Sequence, residues 1–283
     1  MKSLIQYNFT QGLGDFLVNQ FELINTTKNL INIGYIVDLK LNLNVNSYFK
    51  PEMFFYFLNE DVYKIFNSIE ILDSPILDNE YGEYSKYYTF RGAGVGHHQW
   101  DLFLNKINKN LKSDMILHYG YGLSNQTKMI DIFNHIIVKE YKELKIKYNL
   151  NDNYDCLHFR TKDMCDDLDY FNFKKSDIDE IIKNTNKIYC CSNSFNFKSY
   201  IRNFNNTITI PIIKEEEYGA HFDSNRSLFY DMNIVHERTK FTFFEMLLMS
   251  ESKKVNTFSI LQRPSNFLFL SLINNVNIIH NYT

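Results

Sequence analysis

With 283 residues, the chain is too long for one small hydrophobic core and has the length expected for two domains. Hydrophobic residues make up 45% of the sequence, with 25 Phe and 20 Tyr, so each domain can bury a sizeable core. Charged residues make up 22% and the formal net charge is −3. This argues against a nucleic-acid-binding protein, because such proteins usually carry a basic face.

The amino-terminal end of the chain has the pattern of a βαβ unit. Residues 4–9 are apolar enough for a buried strand, and a turn with Gly12 and Gly14 leads from them into apolar residues at helical spacing. Gly34 is placed to end this helix, and residues 35–39 are a second predicted strand. This order of elements predicts a parallel sheet.

The middle of the chain has less regular patterns. Residues 51–66 carry apolar side chains at helical spacing, residues 91–98 are a glycine-rich loop, and residues 115–119 are suited to a strand. Between residues 127 and 148, apolar residues recur at spacings of three and four, which predicts a long amphipathic helix. The polar segment 149–153 is the predicted domain boundary.

The rest of the chain repeats the alternation of strands and helices. Five strands are predicted, at residues 155–159, 187–191, 207–210, 254–258 and 276–279. Four helices are predicted, at residues 177–183, 195–204, 241–250 and 265–272, with Ser176 and Ser194 as candidate N-caps of the first two. This alternation predicts an open doubly wound sheet, in which ligands bind beyond the carboxyl ends of the strands.

Cysteine usage and hydropathy bear on the compartment. The start of the sequence does not have the pattern of an apolar leader, and no run approaches the roughly 18 apolar residues of a membrane span. The four cysteines, Cys156, Cys165, Cys190 and Cys191, have the placement typical of reduced core residues, and their spacing does not indicate a zinc site. We therefore expect a cytoplasmic protein without a metal.

Polar residues are concentrated where the predicted strand 155–159 ends. His158, Arg160, Lys162 and Asp163 all fall at this strand end. Arg160 has a permanent charge and can fork two hydrogen bonds onto a phosphate, and Asp163 can hold Arg160 or His158 in place. The alternative is an ion pair between Arg160 and Asp163 with His158 in the core. Because these residues lie at the carboxyl end of a strand, we favour a ligand-binding role over a purely structural ion pair.

This segment resembles motif I of the fucosyltransferase superfamily, which has the pattern His-x-Arg-Arg-x-Asp. His158, Arg160 and Asp163 match the motif, and Thr161 stands where the second arginine is found. The resemblance implies that Arg160 binds the β-phosphate of GDP-fucose. We expect Asp163, or a carboxylate in the segment 166–169, to orient groups or take the acceptor proton. Because Thr161 carries no charge, the donor identity stays open, and Lys162 is a candidate source of the missing charge.

Two further segments resemble parts of the same enzymes. Residues 188–194 resemble the strand ending in Ser/Thr-Asp-Asp that follows motif I, which implies donor contacts from Ser192 and Asn193. The turn with Gly12 and Gly14 resembles their Gly-Leu-Gly-Asn turn, where backbone N–H groups attract a phosphate.

A third segment, residues 241–259, resembles the superfamily's helix, strand and Thr-Phe-Ser sequence. The resemblance implies that Thr257, Phe258 and Ser259 lie beside the donor diphosphate. There they would offer hydroxyl and backbone N–H groups, supported by the start of the next helix.

Other polar clusters have open interpretations. Asp167 and Asp169 belong to an acidic segment that is either a solvated loop, a metal-binding Asp-x-Asp, or a source of the general base near the acceptor. His97, His98 and Trp100 are candidate acceptor contacts, with loop packing as the alternative. A polar connection that can close on the nucleotide contains His221, Asp223, Arg226, His236, Glu237 and Arg238.

The resemblance implies a GT-B-like α/β fold of two Rossmann-like domains facing a cleft. Residues 1–150 would lie on the acceptor side and residues 151–283 would bind the sugar nucleotide. We expect an inverting glycosyltransferase that moves fucose from GDP-fucose to a hydroxyl of a glycan or other acceptor, without a metal or cofactor. The alternatives are another nucleotide sugar as donor, or a degenerate non-catalytic module that binds a sugar nucleotide or glycan, which Thr161 and Asn193 favour.

Overall fold

The structure is a computed structural model, and it describes residues 2–8, 13–43, 51–72, 87–91, 129–151, 153–161, 168–210, 232–260, 266–268, 271, 274 and 276–281. The chain divides by its contacts into two compact units, Met1–His135 and Ile136–Thr283. Among the residues that the structure describes, each unit has one sheet, and every strand pair in both sheets is parallel. Within the described residues, no helix combines the length and apolar character needed to cross a membrane.

The first unit contains a four-stranded sheet in the order β3-β2-β1-β4. Its strands are β1 (Lys2–Asn8), β2 (Ile36–Asn42), β3 (Ser68–Leu72) and β4 (Tyr87–Arg91). Helix α1 (Leu13–Asn32) connects β1 with β2, so the predicted βαβ unit is confirmed. Strands β3 and β4 are not predicted by the sequence pattern.

Gly34 ends α1 as predicted. Its φ of +91° lies in the left-handed region, where a side chain would be strained. Its N–H donates to the Ile31 carbonyl at 2.9 Å, and the next N–H, of Tyr35, reaches back to the Leu30 carbonyl at 3.0 Å. These bonds satisfy the last carbonyls of the helix and turn the chain into β2.

The helical spacing of residues 51–66 does not produce one helix. The segment forms a 3-10 turn (Pro51–Met53) and two single-turn helices, α2 (Phe54–Phe57) and α3 (Glu60–Tyr63). The chain is extended at Leu58, and the Asn59 side chain accepts the Asp61 N–H at 3.0 Å, which starts α3 anew. A side-chain cap has therefore divided a helix that the apolar pattern alone predicts to be continuous.

The long helix predicted for residues 127–148 also begins later than expected. A 3-10 turn (Met129–Ile132) comes first, and helix α4 covers His135–Lys147. Between them, Phe133 forms a bridge with Leu58, and Asn134 donates to the Phe57 carbonyl at 2.8 Å. The division between the two units falls at the start of α4, so contacts assign this helix to the second unit rather than to the first.

The second unit contains a five-stranded sheet in the order β7-β6-β5-β8-β9. Its strands are β5 (Asp155–Arg160), β6 (Ile188–Ser192), β7 (Thr207–Ile208), β8 (Lys254–Ser259) and β9 (Asn277–His280). Besides α4, the helices described in this unit are α5 (Leu168–Lys183), α6 (Phe195–Ile201) and α7 (Met232–Ser250). All five predicted strands are present, and the order reverses between β5 and β8, which is the switch point of this sheet.

The helix ends of this unit test the two predicted caps. Ser194 caps α6, because its hydroxyl accepts the Phe197 N–H at 3.1 Å. The prediction for Ser176 was wrong, because α5 begins at Leu168 and Ser176 lies inside it. Of the helix predicted for residues 265–272, the described part consists of a 3-10 turn, Asn266–Leu268, and the α-helical residue Ser271.

The two faces of the second sheet differ in their packing. Leu157 and Phe159 of β5 belong to an apolar core with residues of α5 and α6, and the Phe159 and Phe197 rings stack with centroids 4.7 Å apart. On α7, the Leu248 carbonyl accepts the Tyr154 hydroxyl at 2.7 Å, and the Cys156 thiol lies 3.8 Å from it. The described cysteines are buried and free, as the sequence predicted.

Candidate functional site

The predicted donor-binding residues of the second unit meet at one edge of its sheet. Arg160, the last residue of β5, is paired with Ser259, the last residue of β8. Along the other neighbour, Phe159 is paired with Ser192, the last residue of β6. Carboxyl ends of parallel strands beside the switch point are where ligands bind in open α/β sheets. The fold thus brings together three strand ends that are far apart in sequence.

His158 is held as a buried, neutral imidazole. Its Nδ1 shares a hydrogen bond with the Thr257 hydroxyl at 2.9 Å, and its ring stacks on Phe267 with centroids 5.8 Å apart and 15° between the planes. Burial, together with the nearby charge of Arg160, lowers the pKa of His158 to about 3. The side chain is therefore uncharged near neutral pH, so of the two residues Arg160 is the one that carries a charge.

Arg160 is partly accessible at the end of β5. It follows His158 by two residues, so the two side chains leave the strand on the same side. Its carbonyl accepts the Ile260 N–H at 3.3 Å, which ties the ends of β5 and β8 together just after their last pair. A guanidinium at this position has a permanent charge and a planar set of donors suited to a phosphate.

The turn after β6 supports the end of β5. The Ser192 hydroxyl donates to the Phe159 carbonyl at 2.6 Å and accepts the Ser194 N–H at 2.9 Å. The Asn193 side-chain oxygen accepts the Thr161 N–H at 3.2 Å. The side chains of Ser192 and Asn193 thus hold the backbone on either side of Arg160. These two predicted donor-binding residues therefore contact the end of β5 through these bonds.

The Thr-Phe-Ser segment provides the neighbouring strand end. Thr257 and Ser259 are each 1% exposed, and the Thr257 hydroxyl is engaged with His158. Phe258 is 0% exposed and belongs to the apolar core on the opposite face. Only the backbone of Phe258 can therefore reach a ligand, whereas the Ser259 hydroxyl lies on the side of Arg160.

The remaining predicted site residues are in other places. Gly14 lies in the first turn of α1 in the first unit, one residue after the helix begins. Asp169 is exposed in the first turn of α5. The following predicted residues lie outside the described part of the chain, and their roles stay predictions: Gly12, His97, His98, Trp100, Asp163 and Asp167. Among the described residues, no group of three His, Cys, Asp or Glu side chains is arranged to hold a metal ion.

A buried ionic cluster that the sequence pattern does not predict lies beside β6. Lys198 of α6 contacts Glu245 of α7 at 2.5 Å, and the same carboxylate accepts the Tyr189 hydroxyl and the Cys191 thiol, each at 3.2 Å. Burial, followed by the Glu245 charge, raises the pKa of both Tyr189 and Cys191, so both stay protonated donors. The one acidic residue in the apolar stretch 241–250 is the sequence signal that identifies Glu245.

Known proteins resemble this chain in structure and not in sequence. No family model matches the sequence, and no curated protein matches it. Among solved structures, NodZ α1,6-fucosyltransferase soaked with GDP-fucose has a TM-score of 0.54 and 12% identity over 99% of this chain and 95% of that chain.

Two further structures of this enzyme give the same picture. NodZ co-crystallised with GDP has a TM-score of 0.52 and 11% identity over 96% of this chain and 92% of that chain. The fucosyltransferase NodZ from Bradyrhizobium has a TM-score of 0.50 and 11% identity, with the same coverage. At this identity the likeness shows the fold, so the chain has the α/β fold of parallel sheets found in a GT-B fucosyltransferase.

Proposed function

We propose that the chain is an inverting glycosyltransferase that moves fucose from GDP-fucose to a hydroxyl of a glycan or other acceptor. The observation that carries the proposal is the position of Arg160, which ends the central strand β5 beside Ser259, at the switch point of the sheet. The fold shared with an α1,6-fucosyltransferase supports the reaction class. The motif around Arg160 supports the donor.

The chemistry follows from the charge that develops on the leaving group. As the glycosidic bond to the diphosphate breaks, negative charge accumulates on the departing phosphate oxygens. Arg160 would stabilise this charge with paired hydrogen bonds, and the Ser259 hydroxyl is placed to add a neutral donor. A permanent cation on a buried strand needs no metal ion for this task, so we propose a metal-independent transfer.

His158 would act as a positioning residue in this reaction. Its neutral ring is fixed between Phe267 and the Thr257 hydroxyl, so it holds β5 and β8 in register without adding a second charge. The proton of the acceptor hydroxyl would go to a carboxylate, for which Asp163, Asp167 and Asp169 are the proposed candidates. Of these, Asp169 is exposed at the start of α5 and is free of the sheet core.

Replacement of Arg160 tests the proposal directly. Arg160→Ala removes the charge, so we expect turnover of GDP-fucose to fall by at least about 100-fold. Arg160→Lys keeps the charge without the planar fork, so its turnover should fall by less. GDP release with a panel of glycan acceptors is the measurement. Arg202→Ala is the matched control, because Arg202 is an exposed arginine at the C-terminal end of α6. The proposal fails if Arg160→Ala stays within tenfold of the wild type while Arg202→Ala is unchanged.

One observation favours a nucleotide sugar other than GDP-fucose as the donor. Thr161 is 0% exposed and its N–H is bonded to Asn193, so a neutral, enclosed residue stands where the motif has its second arginine. Thermal-shift measurements with GDP, UDP, ADP and dTDP separate the donors, because a ligand that binds only the folded state raises the melting temperature. Binding of GDP-fucose without hydrolysis or transfer would instead favour a non-catalytic sugar-nucleotide-binding module.

A further inference from the structure

Arg238 is a buried arginine on α7 whose position the sequence pattern did not reveal. The sequence predicts a polar connection here, but Arg238 lies within the helix Met232–Ser250 and is 9% exposed. Its neighbours Glu237 and Lys240 point elsewhere: Glu237 is exposed, and Lys240 forms ion pairs with Glu140 and Glu237. Arg238 therefore belongs to the buried side of α7.

The direction of α7 relative to the strands is fixed by its last turn. The Leu248 carbonyl accepts the hydroxyl of Tyr154, the residue just before β5. The N–H of Lys253, just after α7, donates to the Tyr154 carbonyl at 3.0 Å. The C-terminal end of α7 thus lies at the amino edge of the sheet. The helix runs antiparallel to the strands, and its earlier turns lie towards the carboxyl edge.

The position of Arg238 along the strand direction follows from its distance to Glu245 along the helix. Glu245 contacts Cys191, the residue before the last of β6, at 3.2 Å. Arg238 precedes Glu245 by about two helical turns, so it lies on the same helix face and roughly 10 Å nearer the carboxyl edge. Only Ser192 remains in β6 beyond Cys191, and one strand residue spans about 3.3 Å. Arg238 therefore lies at the level just past the strand ends.

We propose that Arg238 is a second phosphate-binding residue of the donor site, an inference that rests on the proposed function. A nucleoside diphosphate carries charge on two phosphoryl groups, and β5 itself ends on one arginine, Arg160. The neutral Thr161 leaves the adjacent position without a charge. Arg238 supplies that charge from a helix on the Arg160 side of the sheet. A buried guanidinium on a packed helix is fixed before the ligand arrives, so its hydrogen bonds to phosphate are strong.

Binding measurements with phosphate-bearing probes test this inference. We expect Arg238→Met to weaken GDP binding by about 10- to 100-fold in calorimetric titration, the loss typical of charge-assisted hydrogen bonds. It should also abolish the rise in melting temperature that inorganic pyrophosphate gives the wild type. Arg238→Lys keeps the charge without the planar fork and should bind GDP with intermediate affinity. Arg202→Met removes the same side chain at an exposed position on α6 and should bind like the wild type.

The outcomes separate this inference from the proposed function. If Arg160→Ala loses GDP binding while Arg238→Met binds GDP and pyrophosphate within twofold of the wild type, the inference is overturned and the proposed function stands. If the wild type binds neither probe, both are overturned. Melting of each variant without ligand checks its folding, and Arg238→Lys provides the comparison should Arg238→Met fail to fold. In that case, wild-type affinity of the Lys variant for both probes overturns the inference.

Discussion

At the scale of single residues, His158 shows how a polar side chain is used inside a parallel sheet. The residue lies in a strand whose neighbours are 0% exposed, and its ring is enclosed by Phe267 and Thr257. A charged imidazole would be costly there, because burial disfavours the ionised form and Arg160 repels it. The residue therefore contributes packing and one hydrogen bond to the candidate site, and its protonation destabilises the folded state.

This arrangement predicts a specific pH dependence of stability. The folded-state pKa of about 3 lies below the ordinary value of 6.5, so the unfolded chain binds the proton first as the pH falls. The stability linked to His158 is fully present above pH 6.5. It is lost between pH 6.5 and pH 3, by up to about 1.4 kcal/mol per pH unit. Chemical denaturation of the wild type and of His158→Asn should show this slope in the wild type and its loss in the variant.

The matched control for this experiment is a histidine outside the sheet. His135 is exposed at the start of α4, so His135→Asn makes the same chemical change without touching the site. Its difference from His158→Asn isolates the buried imidazole. Parallel pH profiles for the wild type and His158→Asn would contradict the buried, neutral state described here.

At the scale of elements, a serine at the start of α6 and a serine inside α5 make a paired prediction. Ser194 caps α6 through the Phe197 N–H, whereas Ser176 is exposed in the interior of α5. Ser194→Ala should lower the free energy of unfolding by about 1 kcal/mol, because a helix N–H loses its acceptor. Ser176→Ala should cause no loss, because alanine is the better helix former in an interior position. Equal effects in urea denaturation would show that Ser194 does not act as a cap.

The contact between α6 and α7 makes a second prediction at this scale. Lys198 and Glu245 are both buried, so Lys198→Met leaves a carboxylate without its cation and should cost about 3 kcal/mol of unfolding free energy. Adding Glu245→Gln removes the unpaired charge but keeps an oxygen for the Tyr189 hydroxyl. The double variant should therefore be more stable than Lys198→Met alone.

The exposed pair Lys139–Glu143 on α4 provides the control for this cycle. Because water screens its charges, Lys139→Met should leave stability close to that of the wild type. If the double variant at Lys198 and Glu245 is no more stable than the single variant, the cost of Lys198→Met comes from lost packing rather than from an unpaired charge.

Elements of this chain differ in how well the sequence predicts them. The strands of the second unit are short apolar runs between polar segments, and burial on both faces makes such runs easy to recognise. Strand β3 was missed because its exposed and half-buried residues include Ser68 and Glu70, which weaken the apolar pattern. Segment 51–66 was predicted to be continuous because periodicity carries no information about the cap at Asn59.

The candidate site was predictable to a similar extent. Strand ends can be read from sequence, so the pattern predicts that His158, Arg160, Ser192 and the 257–259 segment lie where strands end. The register brings these strand ends to one edge of the sheet. Partners across the sheet cannot be read in this way. The bond from Asn193 to the Thr161 N–H and the burial of Arg238 arise from packing between elements distant in sequence.

At the scale of the whole molecule, the proposed site makes a prediction about where a ligand protects the backbone. The strand ends of β5, β6 and β8 lie at one edge of the second sheet, and the turns that enter these strands lie at the opposite edge. GDP bound beside Arg160 would order the backbone near the first edge only. Hydrogen exchange with and without GDP should therefore slow in peptides covering residues 158–161, 190–194 and 257–260.

The opposite edge supplies the internal control for this measurement. Peptides covering residues 184–187 and 251–253 lead into β6 and β8, and their exchange should be unaffected by GDP. Arg160→Ala should abolish the protection at the carboxyl edge if the ligand is bound through this guanidinium. Uniform protection of both edges would mean that the amides exchange only when the whole sheet unfolds. GDP would then slow exchange by stabilising the whole unit rather than by ordering one edge. Protection confined to the first unit would place the nucleotide on the other sheet and contradict the assignment of β5 as the donor-binding strand.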